Sequence, residues 1–187
     1  MNQICRFLSF IVLLSILPSI AYSENNTLTF RLVHSNNDKL SQLTPSQLKI
    51  EQNQYEYFVK DNVGYWVENI IQLSSKDVKD VKIEMMVWEP NSKNWKNVEV
   101  SLKEIANDKD YTNPTMHGFT AVIIFNKIGQ KKFEHLTEKN IRRRIAIILN
   151  GKLLMAPLIQ EKITGQDVSV VGLNYNEVKG LKEAIRQ

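Results

Sequence analysis

The three histidines of the sequence are the residues that would first suggest metal chemistry. His34, His117 and His135 fall in three different predicted elements, and no two of them have the spacing of a motif such as His-x-x-x-His. The only cysteine, Cys5, lies close to the N-terminus and far from all three. We therefore expect surface or half-buried histidines, and we predict neither a metal site nor a cofactor.

The usual signatures of catalysis are also missing from the sequence. It has no Gly-x-Ser-x-Gly turn for a serine nucleophile, and Gly129 is a lone glycine rather than part of a phosphate-binding loop. Carboxylates are abundant, but no close pair lies in an apolar stretch where burial would raise a pKa. The chain is therefore predicted not to be an enzyme. The alternative, an enzyme of unrecognised type, would require an acid and a base clustered in a pocket.

Aromatic residues crowd the first half of the chain, mostly on predicted strands. A strand presents alternate side chains to opposite faces, so some of these aromatics must point away from the core. Exposed aromatics beside an open strand edge suit the binding of an extended peptide by strand addition. The candidate polypeptide-binding residues are Tyr57, Tyr65, Trp66 and Trp88. The alternative is ordinary packing of a sheet against helices.

The densest group of basic residues is the run from Lys139 to Arg144. Lys139, Arg142 and Arg143 are candidates for a basic patch that binds anionic lipid headgroups or an acidic polypeptide. The alternative is a solvated helix end, where cations complement the helix dipole. Nucleic acid is not expected as a partner, because no aromatic residue interrupts the basic run and the net charge is only +4.

The pattern of apolar residues predicts an α+β fold with a mostly antiparallel sheet and two main helices packed on one face. Asn150 and Gly151 form a strong two-residue hairpin signal, since both tolerate the positive φ of a type I′ turn. Asn174 or Asn176 is predicted to cap the last helix, and Glu177, three residues after Asn174, permits a capping box there. Predicted strands lie near residues 28–33, 55–60, 64–72, 80–89, 119–126, 144–150, 152–159 and 167–172, and predicted helices near 129–142 and 175–186. Residues 95–102 could form a further strand that runs back beside the strand at 80–89. Residues 105–117 are expected to be an irregular loop.

The same periodicity predicts which apolar side chains form the core. A strand buries alternate positions, and a helix buries positions three and four apart. The predicted core is Phe30, Leu32, Val67, Ile83, Val122, Ile124, Phe133, Leu136, Ile141, Ile145, Ile147, Leu149, Leu158, Val170, Val178, Leu181 and Ile185.

Residues 1–23 have the pattern of a secretory signal peptide. Arg6 supplies the positive charge, residues 7–20 form the apolar segment, and Ala21 and Ser23 provide a small-x-small cleavage site. The alternative is an uncleaved anchor helix, although the apolar run is short for a membrane span. After cleavage, residues 24–187 are predicted to form a single domain with no membrane span. We expect this domain in the periplasm or outside the cell.

A series of short motifs runs along the chain: the strands Leu28–Val33 and Phe119–Phe125, and the segments Gly64–Glu68, Gly129-x-x-x-Phe133, Arg144–Lys152, Ala156–Ile159 and Ile163–Gly165. Together these motifs resemble the SecD protein-export subunit, and in particular the head subdomain of its first periplasmic domain. The chain departs from the family pattern at Arg142–Arg143, where the family has Gly-Lys, and at Gln166–Asp167, where it has a glycine-rich segment.

The resemblance implies a function that the residues alone do not show. SecD-type proteins assist export through the Sec translocon, and their periplasmic head is expected to contact the emerging polypeptide. The resemblance therefore implies a non-catalytic periplasmic protein that binds unfolded exported polypeptides or the periplasmic face of the translocon. The alternative is an envelope or secreted interaction module that reuses the fold without a role in export.

Overall fold

The computed structural model describes residues 27–37, 54–89, 91, 93–107 and 118–186. The predicted signal peptide and His117 lie outside these residues. No helix in the described ranges is both long and apolar enough to cross a membrane. The strands are β1 (Leu28–Val33), β2 (Tyr55–Lys60), β3 (Val63–Ser74), β4 (Val78–Glu89), β5 (Asn94–Glu99), β6 (Phe119–Phe125), β7 (Ile145–Leu149), β8 (Lys152–Met155) and β9 (Asp167–Leu173). The helices are α1 (Leu102–Asn107), α2 (Lys127–Lys139) and α3 (Tyr175–Ala184), and a 3-10 turn (Ser75–Asp77) joins β3 to β4.

The strands form two antiparallel sheets rather than the one sheet that the sequence predicted. The first sheet has the order β2-β3-β1-β7-β8 and the second has the order β5-β4-β6-β9. The chain passes from the first sheet to the second at the 3-10 turn Ser75–Asp77, and each strand pair is antiparallel. The alternation of residues in a strand indicates which of its faces is apolar, but it does not indicate which strands pair. The division into two sheets therefore could not be predicted from the sequence of any single strand. The α+β class with two main helices is confirmed.

Both main helices begin at an asparagine cap. The side chain of Asn126 accepts hydrogen bonds from the backbone N–H groups of Ile128 (3.0 Å) and Gly129 (2.9 Å). Asn174 and Glu177 form the predicted capping box, in which each side chain accepts from the other residue's backbone N–H. These bonds satisfy N–H groups that have no partner within the helix.

The main core draws on both sheets and on all three helices. Phe30, Phe125 and Phe133 lie at its centre, with ring centroids 4.8 to 6.3 Å apart. A second, smaller cluster includes Val33 and Ile148 and lies on the other face of the first sheet. The predicted core residues that are buried are Phe30, Leu32, Val67, Ile83, Phe133, Leu136, Ile145, Ile147, Leu149, Val170, Val178 and Leu181.

The core prediction was wrong at four positions, and Ile185 is only partly buried. On β6 the buried face carries Ala121, Ile123 and Phe125, whereas Val122 and Ile124 are half-buried. Both faces of this strand are apolar, so its sequence does not indicate which of them meets the core.

The other two errors have a different cause. Ile141 is 47% exposed because α2 ends at Lys139, so the helical periodicity does not extend to it. Leu158 is 46% exposed because β8 ends at Met155, and only an isolated bridge to Arg144 follows.

Helix α1 replaces the start of the predicted irregular loop. Ser101 and Glu104 cap it reciprocally: the Ser101 N–H donates to the Glu104 carboxylate (2.6 Å), and the Glu104 N–H donates to the Ser101 hydroxyl (3.2 Å). Ile105 on this helix is fully buried in the main core. The Ser-x-x-Glu pattern is a capping signal that could have predicted the helix.

Candidate functional site

Two of the four predicted polypeptide-binding aromatics form a pair on the β2–β3 hairpin. Tyr57 lies opposite Trp66, and their ring centroids are 5.0 Å apart. Trp66 is only 2% exposed, so it is not available at the surface, whereas Tyr57 is half-buried. Asn37 fixes the Trp66 backbone: its side chain accepts from the Trp66 N–H (2.8 Å) and donates to the Gly64 carbonyl (3.1 Å).

The other two predicted aromatics lie elsewhere. Tyr65 is paired with Phe58 and packs on the second core cluster, on the face of the hairpin opposite Trp66. Trp88 lies on β4 in the second sheet, opposite Trp95 of β5. The structure therefore does not bring the four residues together in one site.

The predicted basic patch contains two exposed cations and one that is largely buried. Lys139 ends α2, and Arg142 follows it with a positive φ of 68°. Arg143 instead forms a close ion pair with Glu68 of β3. It also donates to the Val33 carbonyl (2.8 Å) and to the Asn140 side chain (3.2 Å), so it belongs to the structural framework.

A second arginine, Arg31, is buried beside the backbone of Glu68 and was missed by sequence reasoning. Its Nε donates to the Glu68 carbonyl (2.7 Å), and its terminal nitrogens donate to Glu56 (2.9 Å) and Asn69 (3.1 Å). Its guanidinium also lies 5.8 Å from the ring centre of Phe58. The available signal was a charged residue inside an otherwise apolar strand, since a buried charge requires partners. The charges of Arg31 and Glu56, and of Arg143 and Glu68, neutralise one another, which indicates a structural role for these residues.

Strand β3 is irregular beside this cluster, and the irregularity exposes two consecutive isoleucines. It places Leu73, Ile71 and Val67 opposite Phe30, Arg31 and Val33 of β1, so extra residues bulge out on the β3 side. Ile70 is 66% exposed and Ile71 is 56% exposed. In a regular strand one of two neighbours would point into the protein.

Strand β3 approaches the end of α2 at two places. The Arg143–Glu68 ion pair joins the residues after α2 to β3. Gln72 of β3 and Lys139 of α2 line a common cavity of about 380 Å³. Lys139, Ile141 and Arg142, at and after the end of α2, have exposed side chains.

A second cavity of about 380 Å³ adjoins the same segment of β3 on the side of β2. Tyr55, Glu68 and Ile70 contribute to its lining. The segment from Asn69 to Gln72 therefore has a concave feature on each side.

The structure describes two of the three histidines. His34 accepts from the Asn36 N–H (2.9 Å), and its ring centroid lies 4.8 Å from that of Tyr55, while His135 is exposed on α2. Across the described ranges there is no group of three or more His, Cys, Asp or Glu side chains that could hold a metal ion.

The lowered pKa values of two carboxyls have structural causes. Burial opposes the shift at Asp80, but hydrogen bonds from Lys182 and from the Val81 N–H outweigh it and lower the pKa. At Glu177 burial is likewise outweighed by the hydrogen bond from Lys152, and the pKa is again lowered. Each carboxyl pairs with a lysine from another element, as expected of an ion pair that supports the fold.

Comparison with known proteins identifies related sequences. The family model described as "SecDF, P1 head subdomain" matches residues 91–187. The protein translocase subunit SecD of Acidaminococcus fermentans is 50% identical over 48 residues, which are 26% of this chain and 12% of that protein. The subunit SecDF of Thermus thermophilus is 42% identical over 55 residues, or 29% of this chain and 8% of that protein. The SecD of Treponema pallidum is 43% identical over 58 residues, or 31% and 10% of the two chains.

The chain thus spans only a small part of these relatives. Among solved structures, one described as a membrane component SecDF that enhances protein export aligns with 87% of this chain and 62% of its own, at 21% identity and a TM-score of 0.48. A SecDF crystal structure in a super-membrane-facing form aligns with 87% of this chain and 19% of its own, at 22% identity and a TM-score of 0.48.

Proposed function

Because the chain belongs to the SecDF P1 head subdomain family, whose model matches residues 91–187, we propose that it is a non-catalytic module of protein export. It acts outside the cytoplasm, in the periplasm, where it binds unfolded or extended segments of exported polypeptides or docks on the translocon's periplasmic face. The observation that carries this proposal is the family match.

Two further observations support the proposal. The relatives that match this chain are named as protein translocase subunits. Strand β3 also exposes Ile70 and Ile71, and the end of α2 exposes Lys139 and Arg142, which are apolar and cationic side chains that an unfolded segment can use without a specific sequence. In this proposal the half-buried aromatics Tyr57 and Tyr65 are secondary contacts, and the buried ring of Trp66 supports Tyr57.

Binding to an exported protein in its unfolded and folded forms tests the proposal. The protein is produced with its own N-terminal segment and purified in the form that the cell retains. Fluorescence anisotropy then measures its affinity for each labelled form at moderate and at high salt. We expect the unfolded form to bind more tightly and the preference to persist in high salt, because apolar and backbone contacts are not screened.

A second measurement covers the other proposed partner. Purified translocon in detergent is tested for binding to the same protein. If neither the unfolded polypeptide nor the translocon binds, the proposal is rejected, and the fold serves an interaction unrelated to export. Binding that disappears in high salt would also contradict the proposal for the polypeptide, since it would indicate nonspecific attraction to surface cations.

A further inference from the structure

We propose that the outer edge of β5 accepts an extended polypeptide segment as an added strand of the second sheet. The segment pairs with the backbone of β5, and it carries a basic side chain beside Glu84 and Glu99 and an apolar side chain beside Trp95. This inference rests on the proposed function, and it specifies where the polypeptide binds and what kind of segment is accepted.

The backbone groups on the outer edge of β5 are the first part of the argument. β5 is the last strand of its sheet and pairs with β4 alone. The N–H of Val100, directly after β5, donates to the Ile83 carbonyl of β4 (2.8 Å). Successive residues of a strand direct their backbone groups to opposite edges, so those of Asn97 and Glu99 point away from β4. No strand of the described ranges lies there, and such an edge can pair with an extended chain.

The other edge strands are less suited to pairing. β9, at the opposite edge of the second sheet, has a register shift beside β6 and contains Gly172 at a φ of 75°. In the first sheet β8 has only 4 residues, and β2 and β8 contact each other. β5, by contrast, pairs with β4 along all 6 of its residues without a register shift. A regular edge is the better template, because bulges twist an edge away from a partner.

Apolar side chains lie on one face of the β4–β5 pair. Trp95 and Asn97 are two residues apart and share a face of β5, and Met86 of β4 lies opposite Asn97. The Asn97 side chain donates to Glu84 of β4 (3.3 Å), which agrees with this placement. Trp95 is 62% exposed and Met86 is 57% exposed. An added strand presents every second side chain on this face, where an apolar one packs beside Trp95.

The carboxylates of the same face determine the sign of the partner's charge. Glu84 and Glu99 lie directly opposite each other, and Lys82 pairs with Glu99 (3.0 Å). Glu84 accepts from the neutral Asn97 amide and forms no ion pair within the described ranges. One negative charge therefore remains uncompensated, and a lysine or arginine of the partner complements it. A second copy of the chain paired edge to edge would instead bring two such negative surfaces together, which disfavours it as the occupant.

The probe is a labelled peptide, Lys-Thr-Ser-Thr-Leu-Thr-Ser-Thr-Lys, which places its lysines and its leucine on one face of a strand. Two derivatives are N-methylated on the backbone, one at the threonines and the other at the serines and the leucine. Only one of these sets of N–H groups can face β5, so we expect one derivative to lose binding and the other to keep it. Replacing the lysines with glutamates should weaken binding about threefold. Equal binding of both methylated derivatives would overturn strand addition.

Substitutions in the protein test the same edge. Asn97→Pro removes an outward N–H and keeps the bonds to β4, since proline is tolerated at such an edge position. Asn97→Ala is the matched control, because it removes the same side chain and keeps the N–H. We expect Asn97→Pro to weaken peptide binding about tenfold and Asn97→Ala to leave it unchanged. Glu84→Gln should reduce the preference for the lysine peptide over the glutamate peptide, and Trp95→Thr should reduce the contribution of the leucine. Circular dichroism confirms that each variant is folded.

The outcomes separate this inference from the proposed function. If the parent binds an unfolded exported protein and Asn97→Pro binds it as tightly as Asn97→Ala does, the site assigned here is wrong while the proposed function stands. If the parent binds neither an unfolded protein nor the translocon, the proposed function itself fails. A dimer of the parent in analytical ultracentrifugation that Asn97→Pro abolishes, without binding of any peptide, would overturn the choice of occupant.

Discussion

Gly129 of α2 packs directly against the carbonyl oxygen of Asp77. A Cβ atom at position 129 would lie 2.1 Å from that oxygen, well inside any allowed contact. The same carbonyl accepts a hydrogen bond from the Asn126 N–H (2.9 Å), and the Asp77 carboxylate pairs with Lys132 (2.7 Å). The 3-10 turn Ser75–Asp77, which joins β3 of the first sheet to β4 of the second, is thus bound to the first half of α2. These contacts hold the helix beside β3.

Gly129→Ala is expected to destabilise the protein. Elsewhere in a helix this change adds stability, because alanine is the better helix former. Here the new methyl group meets backbone, which cannot move aside as a flexible side chain can. We expect the free energy of unfolding to fall by about 2–3 kcal/mol. Urea denaturation followed by circular dichroism measures the change.

Gly165→Ala provides the matched control. The nearest atom to its added Cβ is a side-chain oxygen of Asp167 at 3.6 Å, which is an ordinary contact distance. A stability equal to that of the parent is expected. If Gly129→Ala also left the stability unchanged, the close contact between Gly129 and the Asp77 carbonyl would be contradicted.

Glu68→Ala is expected to destabilise the protein through the loss of the carboxylate that pairs with Arg143. The change removes the partner of Arg143, whose charge is largely buried. It leaves the Glu68 carbonyl available to Arg31, so only the side-chain interaction is lost. Leaving an unpaired charge away from water costs about 2–3 kcal/mol at a partly exposed site. Chemical denaturation of the variant measures this cost.

The exposed ion pair between Lys82 and Glu99 provides the comparison. Both side chains are well exposed, and their atoms are 3.0 Å apart. Glu99→Ala should leave the stability almost unchanged, since solvent-exposed pairs contribute little. Equal losses of stability in Glu68→Ala and Glu99→Ala would show that burial does not strengthen the ion pair between Arg143 and Glu68.

Ile147→Asp is expected to unfold the protein. Ile147 is buried in β7, an interior strand of the first sheet, and belongs to the main core. A carboxylate placed there would have no described partner, and its burial is very costly. The far-ultraviolet spectrum should lose its folded signal, while Val171→Asp, at an exposed position of the edge strand β9, should keep it. A melting curve of Ile147→Asp that matched the parent would refute the assignment of β7.

The ion pair between Lys152 and Glu177 predicts a pH-dependent stability. The interaction holds the pKa of the folded Glu177 carboxyl below its ordinary value of 4.5. It therefore stabilises the fold fully above pH 4.5, and this stabilisation is lost as the pH falls through the lowered pKa. Glu177→Gln should cost about 1 kcal/mol at neutral pH, because the capping oxygen is kept and the charge is lost.

At low pH this difference should vanish, because the parent's carboxyl is then protonated. Urea denaturation of both proteins at neutral and acidic pH measures the convergence. Lys179→Gln serves as a control, since its contact with Glu183 is a long exposed pair of 3.9 Å. A constant difference between parent and Glu177→Gln at all pH values would contradict the charge-based explanation.

Local features could be predicted well from the sequence. The strands Leu28–Val33 and Tyr55–Lys60 were predicted with their observed bounds, as was the capping box at Asn174. The Asn150–Gly151 turn has both residues at positive φ, as its type requires. Backbone conformation at these places depends on neighbouring residues, which the sequence displays directly. The membership of the SecDF head family was also evident from the order of short motifs.

What only the tertiary structure decided was how these elements face one another. The strands divide into two sheets, Val122 and Ile124 face away from the core, and Arg143 turns inward to Glu68 while Arg142 remains exposed. The exposure of Ile70 and Ile71 likewise depends on how β3 pairs with β1. The physical reason is that burial and ion pairing arise between residues far apart in the chain, and the periodicity of one segment carries no information about the segment that packs on it.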